Sequence, residues 1–128
     1  MCCILGYLGK DIPKETFEAY LMRTKTRGPD DQRVVEVPFG YLGFGRLAIM
    51  GLTPEGMQPF EREGSYAVCN GELYGFRVLK EELMGLGYSF SSGSDCELLL
   101  PLYEKYGLDM FRRLDAEFAC LLYDAREQ

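Results

Sequence analysis

Histidine is absent from the 128 residues, so neither a Ser-His-Asp nor a Cys-His arrangement can activate a nucleophile here. A base must come from elsewhere, and Cys2 offers one route. With Met1 removed, the α-amino group of Cys2, of pKa about 7.7–8.0 in model compounds, stands beside its own thiol. Position alone allows a plainer reading, in which Cys2 and Cys3 are small apolar residues opening a buried strand. Four further groups put polar residues at the ends of apolar stretches, where a sheet meets a cleft: Arg27-Gly28-Pro29-Asp30, Arg46-Leu47-Ala48-Ile49, Asn70-Gly71-Glu72-Leu73-Tyr74 and Ser94-Asp95-Cys96-Glu97. Singly they read as a helix end, a strand-edge charge, a hairpin turn and a capping box.

Composition narrows the chemistry further. The length suits one domain, and 47% hydrophobic with 27% charged residues reads as a soluble globular chain. Fourteen basic against twenty acidic side chains leave a formal charge of −6, the wrong sign for a chain that neutralises phosphates, so no nucleic-acid partner is expected. The five cysteines, Cys2, Cys3, Cys69, Cys96 and Cys120, form no C-x-x-C pair and fit neither a disulfide framework nor a zinc knuckle, so no metal is expected. The N-terminus lacks a basic signal-peptide region, and no apolar run approaches the roughly 18 residues of a membrane span. The expectation is a reduced, cytoplasmic protein with no membrane partner.

The elements that must position these groups alternate between strand and helix. Cys2 to Leu8 reads as a strand, and Phe17, Tyr20, Leu21 and Thr24 lie at helical spacing behind Pro13, until Gly28-Pro29. Val35 to Ile49, with bulky residues at Val37, Phe39, Tyr41, Leu47 and Ile49, predicts a hairpin bent by Gly40, Gly43 and Gly45. After a loop from Thr53 to Pro59, a strand at Tyr66 to Cys69 runs into Asn70-Gly71, first of all a turn signal. Val78 to Leu86 predicts a helix closed by Gly87, and Tyr88 to Phe90 a brief strand. Ser94 and Glu97 predict a capping box for a helix through Tyr106, kinked at Pro101, then a short helix at Leu108 to Leu114. Phe118 to Tyr123 is an apolar strand that needs a pairing partner. The pattern is α+β.

The order Cys2, R-G-P-D, R-L-A-I, Gln58-Pro59, N-G-E-L-Y, S-D-C-E and Leu114 to Asp124 resembles, over essentially the whole chain, the glutaminase domain of class II glutamine amidotransferases. The likeness is strongest to the glutamine-hydrolysing asparagine synthetase branch, on the A-x-F-A-x-x-x-Y-D ending. The resemblance implies an N-terminal nucleophile hydrolase fold, a four-layer αββα sandwich, incomplete here at the C-terminus. It implies hydrolysis of glutamine to glutamate and ammonia through a Cys2 thioester, with Asn70 and the Gly71 N–H as oxyanion hole. Arg46 would take the α-carboxylate and Asp95 the α-ammonium, with Ile49, Gly71 and Glu72 lining the same pocket. Residues 1–128 would form a single glutaminase-like domain, expected to be truncated, since family domains continue past Tyr123-Asp124. No cofactor is implied for this chain; ATP and Mg belong to the absent synthetase domain, which as a domain or subunit would be the ammonia acceptor.

Three positions depart from the family pattern: Cys3 stands where a Gly or another small residue is usual, Thr26 where a His commonly precedes R-G-P-D, and Gly75 where Asn usually follows N-G-E-x-Y. Taken alone, the chain is expected to be a weak or inactive glutaminase that self-associates through exposed strand edges as a homo-oligomer. The alternative is a non-catalytic glutaminase-like module that binds a partner or an amino acid. Ser91-Ser92-Gly93-Ser94-Asp95 also resembles, superficially, the pyrophosphate loop S-G-G-x-D-S of ATP-activating ligases, but with one Gly where two are needed.

Overall fold

The computed structural model describes residues 2–49 and 52–127. In chain order its regular elements are β1 (Cys3–Leu8), α1 (Lys14–Met22), β2 (Asp31–Val37), β3 (Gly40–Arg46), β4 (Phe60–Arg62), β5 (Ser65–Tyr74), α2 (Phe76–Gly85), α3 (Leu99–Tyr106) and β6 (Asp115–Tyr123). Short 3-10 turns occupy Pro54–Gly56, Asp95–Leu98 and Gly107–Arg113. The strands form two antiparallel three-stranded sheets, ordered β1-β3-β2 and β4-β5-β6. The α+β reading therefore holds.

Alternation along the strands explains how the sheets meet. On β3, Phe44 lies opposite Ile4 of β1, and both pack with Val68 of β5, Met57 and Cys2 in one apolar cluster between the sheets. A Cβ at Gly6 would fall 2.6 Å from Leu121 Cδ1, so the absent side chain lets β6 close over β1. On its other face the first sheet carries α1, whose buried Phe17 and Leu21 sit against Gly43. The odd-numbered residues of β5, Ala67, Cys69 and Leu73, face the opposite way, into the larger core of Leu83, Cys96, Leu98, Leu99, Leu100, Leu102 and Met110. Burial of these side chains supplies most of the drive to fold, about 1.5–3 kcal/mol for each of the Leu, Phe, Val and Met side chains.

Several local expectations are corrected. Asn70-Gly71 is not a turn, because β5 runs on to Tyr74 and pairs with β6 over all but its first residue, from Tyr66↔Tyr123 to Tyr74↔Asp115. A ladder of nine rungs outweighs a dipeptide's turn preference. Gly71 is required for that pairing, since a Cβ there would meet Glu117 O at 2.2 Å and Phe118 Cα at 2.5 Å. Ser94 makes no capping bond, and Glu97 turns back to accept the N–H and Oγ–H groups of both Ser91 and Ser92. The donors that the ligase-like loop reading would give to phosphate are thus filled by the chain's own carboxylate. Tyr88 to Phe90 forms no strand, and Pro101 sits in the first turn of α3, where it costs no helix bond, so it kinks nothing. α1 ends at Met22, well before Gly28, with its Leu21 carbonyl accepting from Thr24 Oγ1 at 2.6 Å and Gln32 Nε2 at 3.2 Å. Gly75 adopts φ 65°, ψ 17° ahead of α2, a left-handed conformation open to Gly or Asn, so the departure at this position is conformationally silent. Removal of Met1 concerns a residue outside those described.

Candidate functional site

At one end of the two sheets lies a cavity of about 550 Å³. Cys2, Arg46, Ile49, Asn70, Gly71, Glu72 and Asp95 all line it, although they come from four separate stretches of chain. Cys2 immediately precedes β1 and packs on the side of the first sheet that faces β5, whereas Cys3, opposite Gly45, points to the other side and does not line the cavity. The departure at Cys3 therefore leaves the cavity wall unchanged.

The Cys2 thiol is bound by the backbone that follows β3. Leu47 N–H donates to Cys2 Sγ at 3.3 Å, and Sγ–H donates to Leu47 O at 3.4 Å. The Arg27-Gly28-Pro29-Asp30 segment fixes this stretch without reaching the cavity itself. Gly28 lies against the Gly45 backbone, where a Cβ would come within 2.2 Å of the Gly45 carbonyl carbon. Asp30 N–H then donates to Arg46 O at 2.9 Å, and Asp30 Oδ2 accepts from Ala48 N–H at 2.7 Å. Arg46 is buried, and its Nη1 donates to Thr53 O at 3.1 Å. Ile49 stands exposed at the rim.

The opposite wall is the edge of β5, where β4 stops short. In an antiparallel pair, alternate residues send both N–H and C=O to the same side. Ala67 faces Phe60 of β4, and the next three rungs on that side belong to Cys69, Gly71 and Leu73. Cys69 is met by the Gln58 side chain: Nε2 donates to Cys69 O at 3.2 Å, and Cys69 N–H donates to Oε1 at 2.6 Å. Leu73 N–H donates to Asp95 Oδ2 at 2.7 Å. Between them Gly71 directs its N–H to the cavity side, while its carbonyl has the Cys96 thiol at 4.0 Å.

Charge in the cavity is uneven. One guanidinium, Arg46, shares the cavity with the carboxylates of Glu72, Asp95 and Glu117, and Glu72 and Glu117 lie directly opposite one another on β5 and β6. The charge of Glu117 holds the Tyr74 phenol above its usual range, followed by slight burial and Glu72. The Cys96 thiol is pushed up by its hydrogen bond with Cys69 and by burial, and Cys120, opposite Cys69 in the ladder, is raised by burial. All five cysteines are free thiols. Among the described residues, no group of three or more Cys, Asp or Glu side chains is arranged to hold a metal ion, and no helix is long and apolar enough to cross a membrane.

Sequence reasoning missed three contributors. The Leu47 backbone and Glu117 carried no local signal, since their partners lie 45 residues away and on a neighbouring strand. Gln58 stood in the motif order without a role.

A family model described as a glutamine amidotransferase domain matches residues 1–128. A probable glutamine-hydrolysing asparagine synthetase of Acanthamoeba polyphaga mimivirus is 38% identical over 128 residues, covering 95% of this chain and 23% of that protein. Glutamine-hydrolysing asparagine synthetase 1 of Arabidopsis thaliana is 34% identical over 133 residues, covering 99% of this chain and 22% of its own length. The amidase chry2 of Gibberella zeae is 39% identical over 118 residues, 89% of this chain and 17% of that protein. The chain thus spans about a quarter or less of the curated relatives it matches. With its full length matched, the chain belongs to the glutamine amidotransferase domain family.

Proposed function

We propose that this chain hydrolyses glutamine to glutamate and ammonia through a γ-glutamyl thioester on Cys2, and that it supplies the ammonia to a synthetase domain or subunit of the asparagine synthetase kind. The observation that carries this reading is the convergence of Cys2, Arg46, Asn70, Gly71 and Asp95 on one cavity. Its volume and mixed charge suit a small zwitterion. The sandwich implied is αββα, with α1 outside one sheet and α2 and α3 outside the other.

In this mechanism the α-carboxylate of glutamine rests on Arg46 and the α-ammonium on Asp95, with Glu72 beside it and Ile49 covering the aliphatic stem at the rim. The freed α-amine of Cys2 takes the thiol proton, and the Leu47 N–H already aimed at Sγ favours the thiolate. Sulfur attacks the carboxamide carbon, and the developing oxyanion is received by the Asn70 side chain and the Gly71 N–H. The ammonium gives its proton to the leaving nitrogen, ammonia departs, and the thioester remains. Water adds to the thioester carbon, the C–S bond breaks, and glutamate and the Cys2 thiol are released.

The test is glutamate release from glutamine by protein whose first residue is shown by intact mass to be Cys2, against the C2A variant. Release that requires Cys2 supports the reading. Equal rates in both, or none in either, sink it.

A further inference from the structure

We propose that Gln58 is a positioning residue for the oxyanion hole: its carboxamide stands in for a missing strand rung, fixing β5 beside the Gly71 N–H. The inference rests on the glutaminase reading for its kinetic consequence and on β5 geometry alone for its structural one.

β4 pairs with β5 only from Phe60 to Arg62, with Phe60 opposite Ala67 and Arg62 opposite Ser65. Continuing that register by two residues would bring position 58 opposite Cys69. The strand does not continue: β4 begins at Phe60, and Pro59 separates it from Gln58. Gln58 instead satisfies the same rung with its side chain, whose amide carries the donor and acceptor of a peptide group in the same order. The two bonds, at 3.2 and 2.6 Å, are buried, and Gln58 itself is 5% exposed.

Three rungs of the β5 edge are therefore treated differently. Gln58 closes Cys69, Asp95 closes Leu73, and the rung of Gly71 is open to the cavity. Two flanking clamps on one extended segment restrict the rotation of the peptide units between them. That restriction is what a donor aimed at a developing charge requires, since it costs no reorganisation during the reaction. Gln58 reaches neither sulfur nor substrate in this scheme; it acts through the Cys69 backbone.

Three proteins test this: wild type, Q58M and Q58E, each with Cys2 first. Q58M keeps side-chain volume and removes both bonds. Its kcat for glutamate release should fall on the order of a hundredfold with KM within about threefold, as for loss or misplacement of one oxyanion donor. The Gly71 amide NMR signal should shift while that of Gly45 stays. Q58E can remake both bonds only when its new carboxyl is protonated, donating O–H to Cys69 O and accepting from Cys69 N–H. Burial and the facing carbonyl raise that carboxyl's pKa, so the Q58E to wild-type ratio of kcat should climb between about pH 8 and about pH 5.5. If Q58M does not fold, this ratio decides, and a flat ratio overturns the proposal. Wild-type kcat in Q58M, a loss confined to KM, or an unmoved Gly71 signal also overturns it. If wild type releases no glutamate, the glutaminase reading fails, and the Gly71 signal in Q58M alone upholds or overturns the positioning role.

Discussion

Replacing Gly71 by alanine puts a methyl group into the β5–β6 ladder where no flexible side chain can yield. The added carbon would lie 2.2 Å from Glu117 O, 2.5 Å from Phe118 Cα and 2.6 Å from Phe118 Cβ, two of them backbone atoms of the paired strand. To approach ordinary van der Waals contact, the strands must separate locally by about 1 Å. Overpacking of this kind costs roughly 1–3 kcal/mol. For a chain of this length each kcal/mol lowers Tm by roughly 3–5 °C, so a cost of about 2 kcal/mol predicts a drop of about 6–10 °C. The same displacement carries the Gly71 N–H out of line, and a 1 Å error can cost on the order of a hundredfold in rate. Gly45→Ala is the control: its nearest neighbour, Cys3 Cβ, lies at 3.5 Å, an ordinary contact, so Tm should barely move. Thermal unfolding followed by circular dichroism, with glutamate release measured on the folded variants, reads both effects. A G71A protein melting within about 2 °C of wild type would show that β6 does not press on this position as described.

The other predictions follow from the same geometry. The glutamine-like electrophile 6-diazo-5-oxo-norleucine should alkylate Cys2 and spare buried Cys69 and Cys96 and half-buried Cys120; peptide mapping that finds label persisting in C2A refutes Cys2 as nucleophile. Arg46→Lys keeps the charge but loses the planar fork, so the Kd for glutamine in calorimetry should rise about tenfold with the fold intact, and an unchanged Kd removes Arg46 from the carboxylate site. Because the raised folded-state pKa of Cys96 lies above its unfolded value near 8.5, its stabilising contribution is full below about pH 8.5 and declines as pH rises further. Tm of the reduced wild type should therefore fall more steeply than that of C96A above about pH 8.5, and parallel curves would refute the linkage. Among the described residues β6 pairs on one side only, and Phe118 and Leu121 are more than a third exposed, so light scattering should detect self-association; a clean monomer would refute it.

Much of the fold was legible because its signals are local. The run Val35 to Ile49 marks the β2–β3 hairpin, although the buried apolar side chains of β3 are Leu42 and Phe44 and not the odd-numbered ones; Phe17 and Leu21 mark the buried face of α1, and the run Phe118 to Tyr123 marks most of β6. The misread places are those where a distant partner overrides a local preference. Asn70-Gly71 is held extended by β6, some 48 residues further on by the register Asn70↔Ala119 and Gly71↔Phe118. Glu97 leaves the expected capping box because four donors of Ser91 and Ser92 converge on its carboxylate, and a charge-assisted cluster outweighs one cap bond.

The candidate site divides along the same line. The family resemblance implied which side chains would meet a zwitterion and a thiol, but not what holds them still. Leu47 against Cys2, Gln58 against Cys69 and Asp95 against Leu73 join positions 45, 11 and 22 residues apart, and each joins a side chain to backbone. Backbone groups carry no residue identity, so no spacing rule can reveal them. The open edge of β5 follows from the same cause. It exists because β4 begins only at Phe60 and two unrelated side chains close the rungs on either side of Gly71. An Asp that the sequence offers for an ammonium thus also serves as a strand clamp, so Asp95→Asn should disturb ligand binding and the Gly71 amide together. A substitution that weakens binding and leaves that amide signal unmoved would separate the two roles.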